Sequence, residues 1–102
     1  MLHITSLDDG LELFKALGSE IRVSIIKQLL DNKGMNMNEL AASLNITNGA
    51  LTSHIKRLED CGIISVSNES TGHGNEKRCS VHLDKILIEV EPDIAYKNIY
   101  ET

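Results

Sequence analysis

The chain of 102 residues is long enough for one domain with a modest hydrophobic core, and none of its apolar runs is long enough to span a membrane. Aromatic residues make up only 3% of the chain, which argues against a stacking platform for single-stranded nucleic acid. The two cysteines, Cys61 and Cys79, with no secretory signal pattern at the N-terminus, predict a reducing cytoplasm and no disulfide framework. The net charge of −5 argues against a uniformly basic surface.

Two helices are predicted in the first third of the chain. Apolar residues at helical spacing predict the first helix from Leu7 to Leu17, and Gly18 ends it. Ser19 is a suitable N-cap for the second helix, and Glu20 places a negative charge in the first turn, where the helix dipole favours it. The second helix is expected to bury a broad apolar face made of Ile21, Ile25, Ile26, Leu29 and Leu30.

A third and a fourth helix follow, joined by a tight turn. Asn36 and Glu39 have the spacing of a capping box at the start of the third helix. Asn45 is expected to end that helix in the left-handed conformation, which asparagine tolerates better than most residues. Thr47 can cap the fourth helix, and Gly62 ends it. The buried stripe of the fourth helix is predicted to be Leu51, Ile55 and Leu58.

After the fourth helix, the apolar residues recur at every second position, as in a strand. Residues 64–66 and 79–83 alternate in this way, and the segment NESTGHGN between them is rich in glycine and small polar residues. Two short strands around a loop form a hairpin. Three to four helices followed by a hairpin predict a mainly α fold with a small β-hairpin, the winged helix-turn-helix. The recognition helix is placed at about 47–61 and the wing hairpin at about 63–83, so this domain covers residues 1–83.

The outward face of the fourth helix is small and polar near its N-terminus and cationic further along. Its residues are Asn48, Gly49, Thr52, Ser53, Lys56 and Arg57. Short side chains allow close approach to a groove, and hydroxyl and amide groups reach base edges, so this face is typical of a helix in the DNA major groove. Thr47 and the N-terminal amides can bind a phosphate oxygen, and Lys56 and Arg57 can neutralise phosphates. The alternative is a solvated amphipathic surface made of the same residue types.

The segment that holds this helix and the hairpin is electrically neutral, whereas the segments before and after it are acidic. Residues 47–82 carry four basic and four acidic side chains, whereas residues 1–46 carry four and six, and residues 83–102 carry two and five. The cations of the middle segment come in the pairs Lys56-Arg57 and Lys77-Arg78. The acidity therefore lies at the two ends of the sequence, and the net charge alone does not exclude DNA.

The segments LFKALGSEIRVSIIKQLL and MNELAASLNITNGALTSHIKRLEDCGII, with the hairpin after them, resemble the ArsR-type winged helix-turn-helix transcriptional regulators over about residues 11–83. The resemblance implies a homodimeric repressor that binds double-stranded operator DNA. It implies a DNA-contacting set on the helix of Thr47, Asn48, Gly49, Thr52, Ser53, His54 and Arg57. It implies a wing set drawn from His73, Asn75, Lys77 and Arg78. Arg22 matches an arginine of the family's second helix, and we expect it to form an ion pair with a nearby carboxylate.

The metal-sensor sites found in many members of that family lack their ligands in this sequence. The segment MNMNELAASL has no cysteine pair, and the tail has only His82, Asp84 and scattered acidic residues. Cys79 and His82 would point to opposite faces of a strand, and a structural zinc site needs four ligands. We therefore predict no metal and no cofactor. Cys61 is expected to be a small apolar filler, and His54 to be either partly buried or a phosphate contact.

Residues 84–102 form a C-terminal extension. Ile86, Ile88 and Val90 alternate as in a strand, and Pro92 would disrupt a continuous helix. In the resembled family the C-terminal element commonly supports the dimer together with the first helix, so a strand departs from that mode. We interpret the extension as a strand added to the hairpin, a dimerisation segment, or the start of a sensor domain outside this chain.

A protein-interaction module and an enzyme are the two alternatives to a DNA-binding regulator. A winged-helix protein-interaction module without DNA binding fits the acidic net charge. An enzyme is disfavoured because the sequence has no glycine-rich phosphate loop, no nucleophile elbow and no paired metal-ligand motif. We therefore predict no catalytic residues, and double-stranded DNA as the partner.

Overall fold

A computed structural model describes residues 1–72 and 74–90 of the chain. Its helices are α1 (Leu11–Leu17), α2 (Glu20–Asp31), α3 (Met37–Leu44) and α4 (Asn48–Asp60). Its strands are β1 (Leu2–Ile4), β2 (Met35–Asn36), β3 (Ser65–Thr71), β4 (Gly74–Ser80) and β5 (Ile86–Ile88). The predicted mainly α fold with a β-hairpin, the winged helix-turn-helix, is confirmed.

The helix boundaries follow the side-chain caps in the sequence. Three side-chain oxygens accept hydrogen bonds from backbone amides one turn later: Ser19 from Arg22, Asn36 from Glu39 and Thr47 from Ala50. Asn45 ends α3 in the left-handed conformation, with φ 55° and ψ 46°, and Gly62 follows α4 with φ 80°. The tight turn between α3 and α4 is thus fixed by local chemistry at both helix ends.

The first helix is shorter than predicted. A 3-10 turn at Asp8–Gly10 precedes α1, which begins at Leu11 rather than at Leu7. Gly10 is buried, and a Cβ atom there would lie 2.6 Å from a ring carbon of Phe14 and 2.9 Å from a methyl carbon of Ile4. These two side chains approach the backbone so closely that only glycine fits at position 10. The spacing of apolar residues in the sequence does not predict this contact.

The strands of the hairpin are longer, and the loop between them is shorter, than predicted. β3 and β4 pair antiparallel from Ser65 opposite Ser80 to Thr71 opposite Gly74, so the strands cover most of the segment predicted as a loop. Cross-strand pairing satisfies the backbone groups of a polar segment that buries little apolar surface. Residues 35–36 add a third strand, β2, whose two residues are too few to give a pattern in the sequence.

The core lies between the helices and the base of the hairpin. Its buried side chains are Leu13, Ala16, Ile25, Leu29, Met35, Leu40, Ala41, Leu51, Ile55, Leu58, Ile63, Ile64 and Cys79. The stripe predicted for α4 is confirmed in full. The face predicted for α2 is only partly buried, because Ile25 and Leu29 are inside whereas Leu30 is 49% exposed. α4 is therefore anchored by one face and presents the other to solvent.

The C-terminal extension contains the predicted strand, but its pairing differs from the expectation. β5 pairs with β1 in parallel, with Leu2 opposite Ile86 and Ile4 opposite Ile88. It does not extend the hairpin, which belongs to a separate sheet of order β2-β4-β3. The partner strand near the N-terminus was not predicted, because three residues of mixed polarity carry no periodic signal.

Candidate nucleic-acid interface

A groove between the N-terminal half of α4 and the wing brings together predicted residues from both. Its volume is about 280 Å³, and its lining residues are Asn36, Met37, Asn38, Asn48, Thr52, Asn75, Glu76 and Lys77. Asn48 and Thr52 come from α4, and Asn75 and Lys77 come from β4. Two parts of the predicted interface that are more than twenty residues apart in sequence therefore share one concave surface.

The side chains of α4 on this groove are held by specific hydrogen bonds. Asn48 Nδ2 donates to Asn38 Oδ1 at 3.0 Å, and the Thr52 hydroxyl donates to the Asn48 backbone oxygen at 2.8 Å. The Asn48 side-chain oxygen and the Thr52 hydroxyl oxygen retain lone pairs that can accept from a base amino group. Asn38 was not predicted as part of the interface, because its approach to Asn48 depends on how α3 packs against α4.

The outward face of α4 is open and flanked on its other side by a second hollow. A Cβ atom built on Gly49 meets no atom within 4 Å. The second hollow has a volume of about 490 Å³ and is lined by Glu12, Ser53, Lys56, Arg57, Asp60 and Cys61. Lys56 Nζ lies 3.7 Å from Asp60 Oδ2, whereas Arg57 has no carboxylate within 4.0 Å in the described part of the chain. Arg57 is thus the cation of this helix that is available to an external anion.

Arg22 is fixed by three hydrogen bonds, and none of them goes to a carboxylate. Its Nε donates to the Ala16 backbone oxygen at 2.6 Å, and its Nη2 donates to the Lys15 backbone oxygen at 3.1 Å. Its Nη1 lies 3.1 Å from His54 Nδ1. The predicted ion pair is therefore wrong. The guanidinium instead bonds to an imidazole and to backbone carbonyl groups at the end of α1, which have no partner within that helix.

His54 is half-buried on the flank of α4 that faces Arg22. Arginine has only donors, so His54 Nδ1 must accept, which places the imidazole proton on Nε2. Burial lowers the pKa of His54 from its ordinary value, and the charges of Arg22 and Arg57 lower it further. At neutral pH the imidazole is therefore uncharged and presents an Nε2–H donor, as a phosphate contact would require.

The two cations of the wing, Lys77 and Arg78, lie on opposite faces of the hairpin. Lys77 is exposed, lies opposite Asn68 in the hairpin, and lines the groove together with Asn75. Arg78 is on the other face, where its Nη2 donates to the Gly34 backbone oxygen at 3.3 Å and its Nε lies 3.8 Å from Glu69 Oε1.

The other predicted wing residues have different surroundings. His73 lies outside the described residues. Glu76, which is not among the predicted wing residues, contributes a carboxylate to the groove and accepts a hydrogen bond from Asn36 Nδ2 at 3.3 Å. Of the three predicted wing residues that the structure describes, Asn75 and Lys77 line the groove and Arg78 does not.

The cysteines and histidines of the described residues do not assemble into a metal site. No group of three or more His, Cys, Asp or Glu side chains in residues 1–72 and 74–90 is placed to hold an ion. Cys79 is fully buried, and this burial raises the pKa of its thiol to about 11. Cys61 is half-buried, and its Sγ lies 3.5 Å from the Glu12 backbone oxygen. Both cysteines are free thiols.

Among the helices of the described residues, none is both long enough and apolar enough to cross a bilayer.

Comparison with known proteins places this architecture among DNA-binding regulators. A family model described as winged helix-turn-helix DNA-binding matches residues 19–65. The uncharacterized protein MJ0432 of Methanocaldococcus jannaschii is 34% identical over 88 residues, which cover 85% of this chain and 88% of that protein. Reduced HlyU from Vibrio cholerae N16961 is 25% identical and superposes with a TM-score of 0.62 over 74% of each chain. The ArsR family transcriptional regulator RHA00566 is 23% identical and agrees in fold, with a TM-score of 0.58 over 88% of this chain and 86% of its own.

Proposed function

This chain belongs to the ArsR-type winged helix-turn-helix transcriptional regulators, a DNA-binding family, and on that premise we propose that it is a homodimeric repressor of a specific operator. In this proposal α4 enters the major groove and the wing contacts the sugar-phosphate backbone.

The observation that carries the proposal is the groove that unites the N-terminal half of α4 with the wing. It joins Asn48 and Thr52, which can pair with base edges, to Lys77, which can neutralise a phosphate. The 13 residues of α4 form a helix about 20 Å long. An α-helix with its side chains is about 10–12 Å wide, which fits the B-DNA major groove of about 12 Å. The groove supports simultaneous contact of helix and wing with one duplex.

The proposed contacts divide into reading and positioning. Asn48 and Thr52 read base edges, and the absence of a side chain at Gly49 permits close approach. Arg57 and Lys77, which have no carboxylate within 4.0 Å in the described part of the chain, contact phosphates. The remaining predicted contacts, Thr47, Ser53, His54, Lys56, His73, Asn75 and Arg78, are proposed as weaker or positional. Arg78 ranks last because its guanidinium already bonds to the turn before β2.

The test is selection of binding sequences from a random duplex pool, followed by titration of the selected duplex at low and moderate salt. A palindromic motif with half-sites about one helical turn apart and a steep salt dependence is expected. Enrichment of a single half-site would keep the regulator and remove the dimer. No binding even at low salt would instead favour a protein-interaction module, which the net charge of −5 also fits. A promoter reporter that rises on expression of the protein would overturn repression.

A further inference from the structure

The β1–β5 sheet has an open edge along β5. The Leu2 amide donates to the Lys85 oxygen at 3.1 Å, and the Glu89 amide donates to the Ile4 oxygen at 2.9 Å, so residues 85 and 89 direct these backbone groups towards β1. Backbone polar groups alternate between the two edges of a strand, so those of Ile86 and Ile88 face away from β1. No strand of the described residues pairs with that edge.

Exposed apolar side chains surround this edge. Leu87 is 45% exposed, Ile88 is 39% exposed and Val90 is 70% exposed. Two parallel strands of three residues do not form a stable sheet alone, and parallel sheets are normally covered on both faces. An open edge with apolar neighbours is the kind of surface that adds another strand.

The sequence of β5 and its flanks is complementary to itself when reversed. We propose that a second copy of this chain covers the edge, with the two β5 strands antiparallel about a two-fold axis at Leu87. Lys85 then lies opposite Glu89 of the second copy, and Glu89 lies opposite Lys85, which forms two reciprocal ion pairs. Ile86 lies opposite Ile88 of the second copy, so the unpaired backbone groups exchange hydrogen bonds across the axis.

The charge pattern selects this register over its neighbours. An axis at Ile86 would place Lys85 opposite Leu87, and an axis at Ile88 would place Glu89 opposite Leu87. Either shift sets a charged side chain against an apolar one and loses both ion pairs. The register centred on Leu87 pairs like with like throughout β5.

An apolar groove lies beside β5 where the second copy would sit. Its volume is about 260 Å³, and its lining includes Leu17, Ile26, Leu30 and Ile86 but no residue of β1. Ile88 of the second copy would stand on the same face as Ile86, next to this groove. The pairing would thus cover Leu30, a large apolar side chain that is 49% exposed in the single chain.

The inference rests on the dimer of the proposed function and names its surface, and it can be tested without DNA. Sedimentation equilibrium of the full chain would give the dimer dissociation constant of the parent, K85E, E89K and K85E/E89K. Each single substitution sets two like charges opposite each other, so we expect roughly tenfold weaker dimers. The double variant re-forms both ion pairs and should recover most of the affinity. E89K and the double variant both lose the contact between Glu89 and His3 at 2.9 Å, so that loss cannot explain a recovery.

Disulfide trapping tests the axis itself. Residues opposite each other in a non-hydrogen-bonded antiparallel pair have Cα atoms about 4.5 Å apart, within the range that a disulfide spans. L87C should therefore form a covalent dimer under mild oxidation faster than the parent and faster than L11C, whose site on α1 is 51% exposed. Circular dichroism and thermal unfolding would confirm that each variant is folded.

The outcomes separate the surface from the dimer. A dimeric parent whose affinity is unchanged by both single substitutions, with L87C no faster than L11C, would overturn this surface and leave the proposed regulator intact. A parent that is monomeric at all concentrations would overturn both the surface and the dimer, and the edge would then be open to another segment or another protein.

Discussion

Arg22 on α2 and His54 on α4 are joined by a hydrogen bond of 3.1 Å between Nη1 and Nδ1. The same guanidinium holds the last carbonyl groups of α1 through Ala16 and Lys15. One side chain therefore connects three helices, one of which carries the proposed DNA-reading face. The position of α4 depends on this polar contact as well as on its buried apolar stripe.

Replacing Arg22 with methionine should destabilise the fold. R22M retains an aliphatic side chain but removes three donors, and two of their acceptors are backbone oxygens that lose their partner. We expect a loss of about 2 kcal/mol in the free energy of unfolding, measured by urea denaturation. K27A, at an exposed position on the same helix, is the control and should change stability by less than about 0.5 kcal/mol. Equal stability of R22M and the parent would show that these hydrogen bonds contribute nothing.

The low pKa of His54 predicts a pH dependence of stability. Because its folded pKa lies below the ordinary value of 6.5, the unfolded chain binds more protons below that pH. The stabilising contribution is therefore complete above pH 6.5 and is lost as the pH falls from 6.5 through the folded pKa. Protonation of Nδ1 would also set two donors against each other at Arg22.

The measurement is the free energy of unfolding of the parent and of H54Q between about pH 7.5 and about pH 5. H54Q has no titrating group at this site, so subtraction cancels the other histidines. The parent should lose more stability than H54Q on acidification. Parallel curves for the two proteins would contradict the coupling of His54 to Arg22.

Replacing Gly49 with alanine should separate stability from DNA binding. Nothing lies within 4 Å of the added Cβ, and alanine favours the helix, so the free energy of unfolding should rise by about 0.5–1 kcal/mol. If DNA approaches α4 closely at this point, the same methyl group should weaken binding severalfold. Thermal unfolding and a duplex titration on one sample would check both. A more stable variant with unchanged DNA affinity would place the contact elsewhere.

Two double variants should distinguish base reading from phosphate contact. N48A/T52A removes groups that can reach base edges, so it should reduce discrimination between the selected operator and random duplex. K56A/R57A removes two cations, so it should weaken binding to every duplex and lower the salt dependence, by a slope of about 1 per lost phosphate contact. Titrations against both duplexes at several salt concentrations would measure this. If both variants bind like the parent, the face assigned to DNA is wrong.

The sequence by itself determined the order, type and ends of most helices. Caps at Ser19, Asn36 and Thr47, the left-handed Asn45 and the stripe of α4 act over one or two turns, so their physics is local and visible in the order of residues. The same locality explains why the outward face of α4 could be predicted. A buried face fixes its opposite, because one helix has only one rotation that satisfies the stripe.

Only the tertiary structure decided which distant residues meet. The bonds from Arg22 to His54, from Asn48 to Asn38 and from Arg78 to Gly34 join segments that are separate in sequence, and the donors have several chemically equivalent alternatives. The pairing of β5 with β1 rather than with the hairpin is of the same kind. Strands of three residues carry too little periodicity to specify a partner, so the packing of the surrounding core selects it.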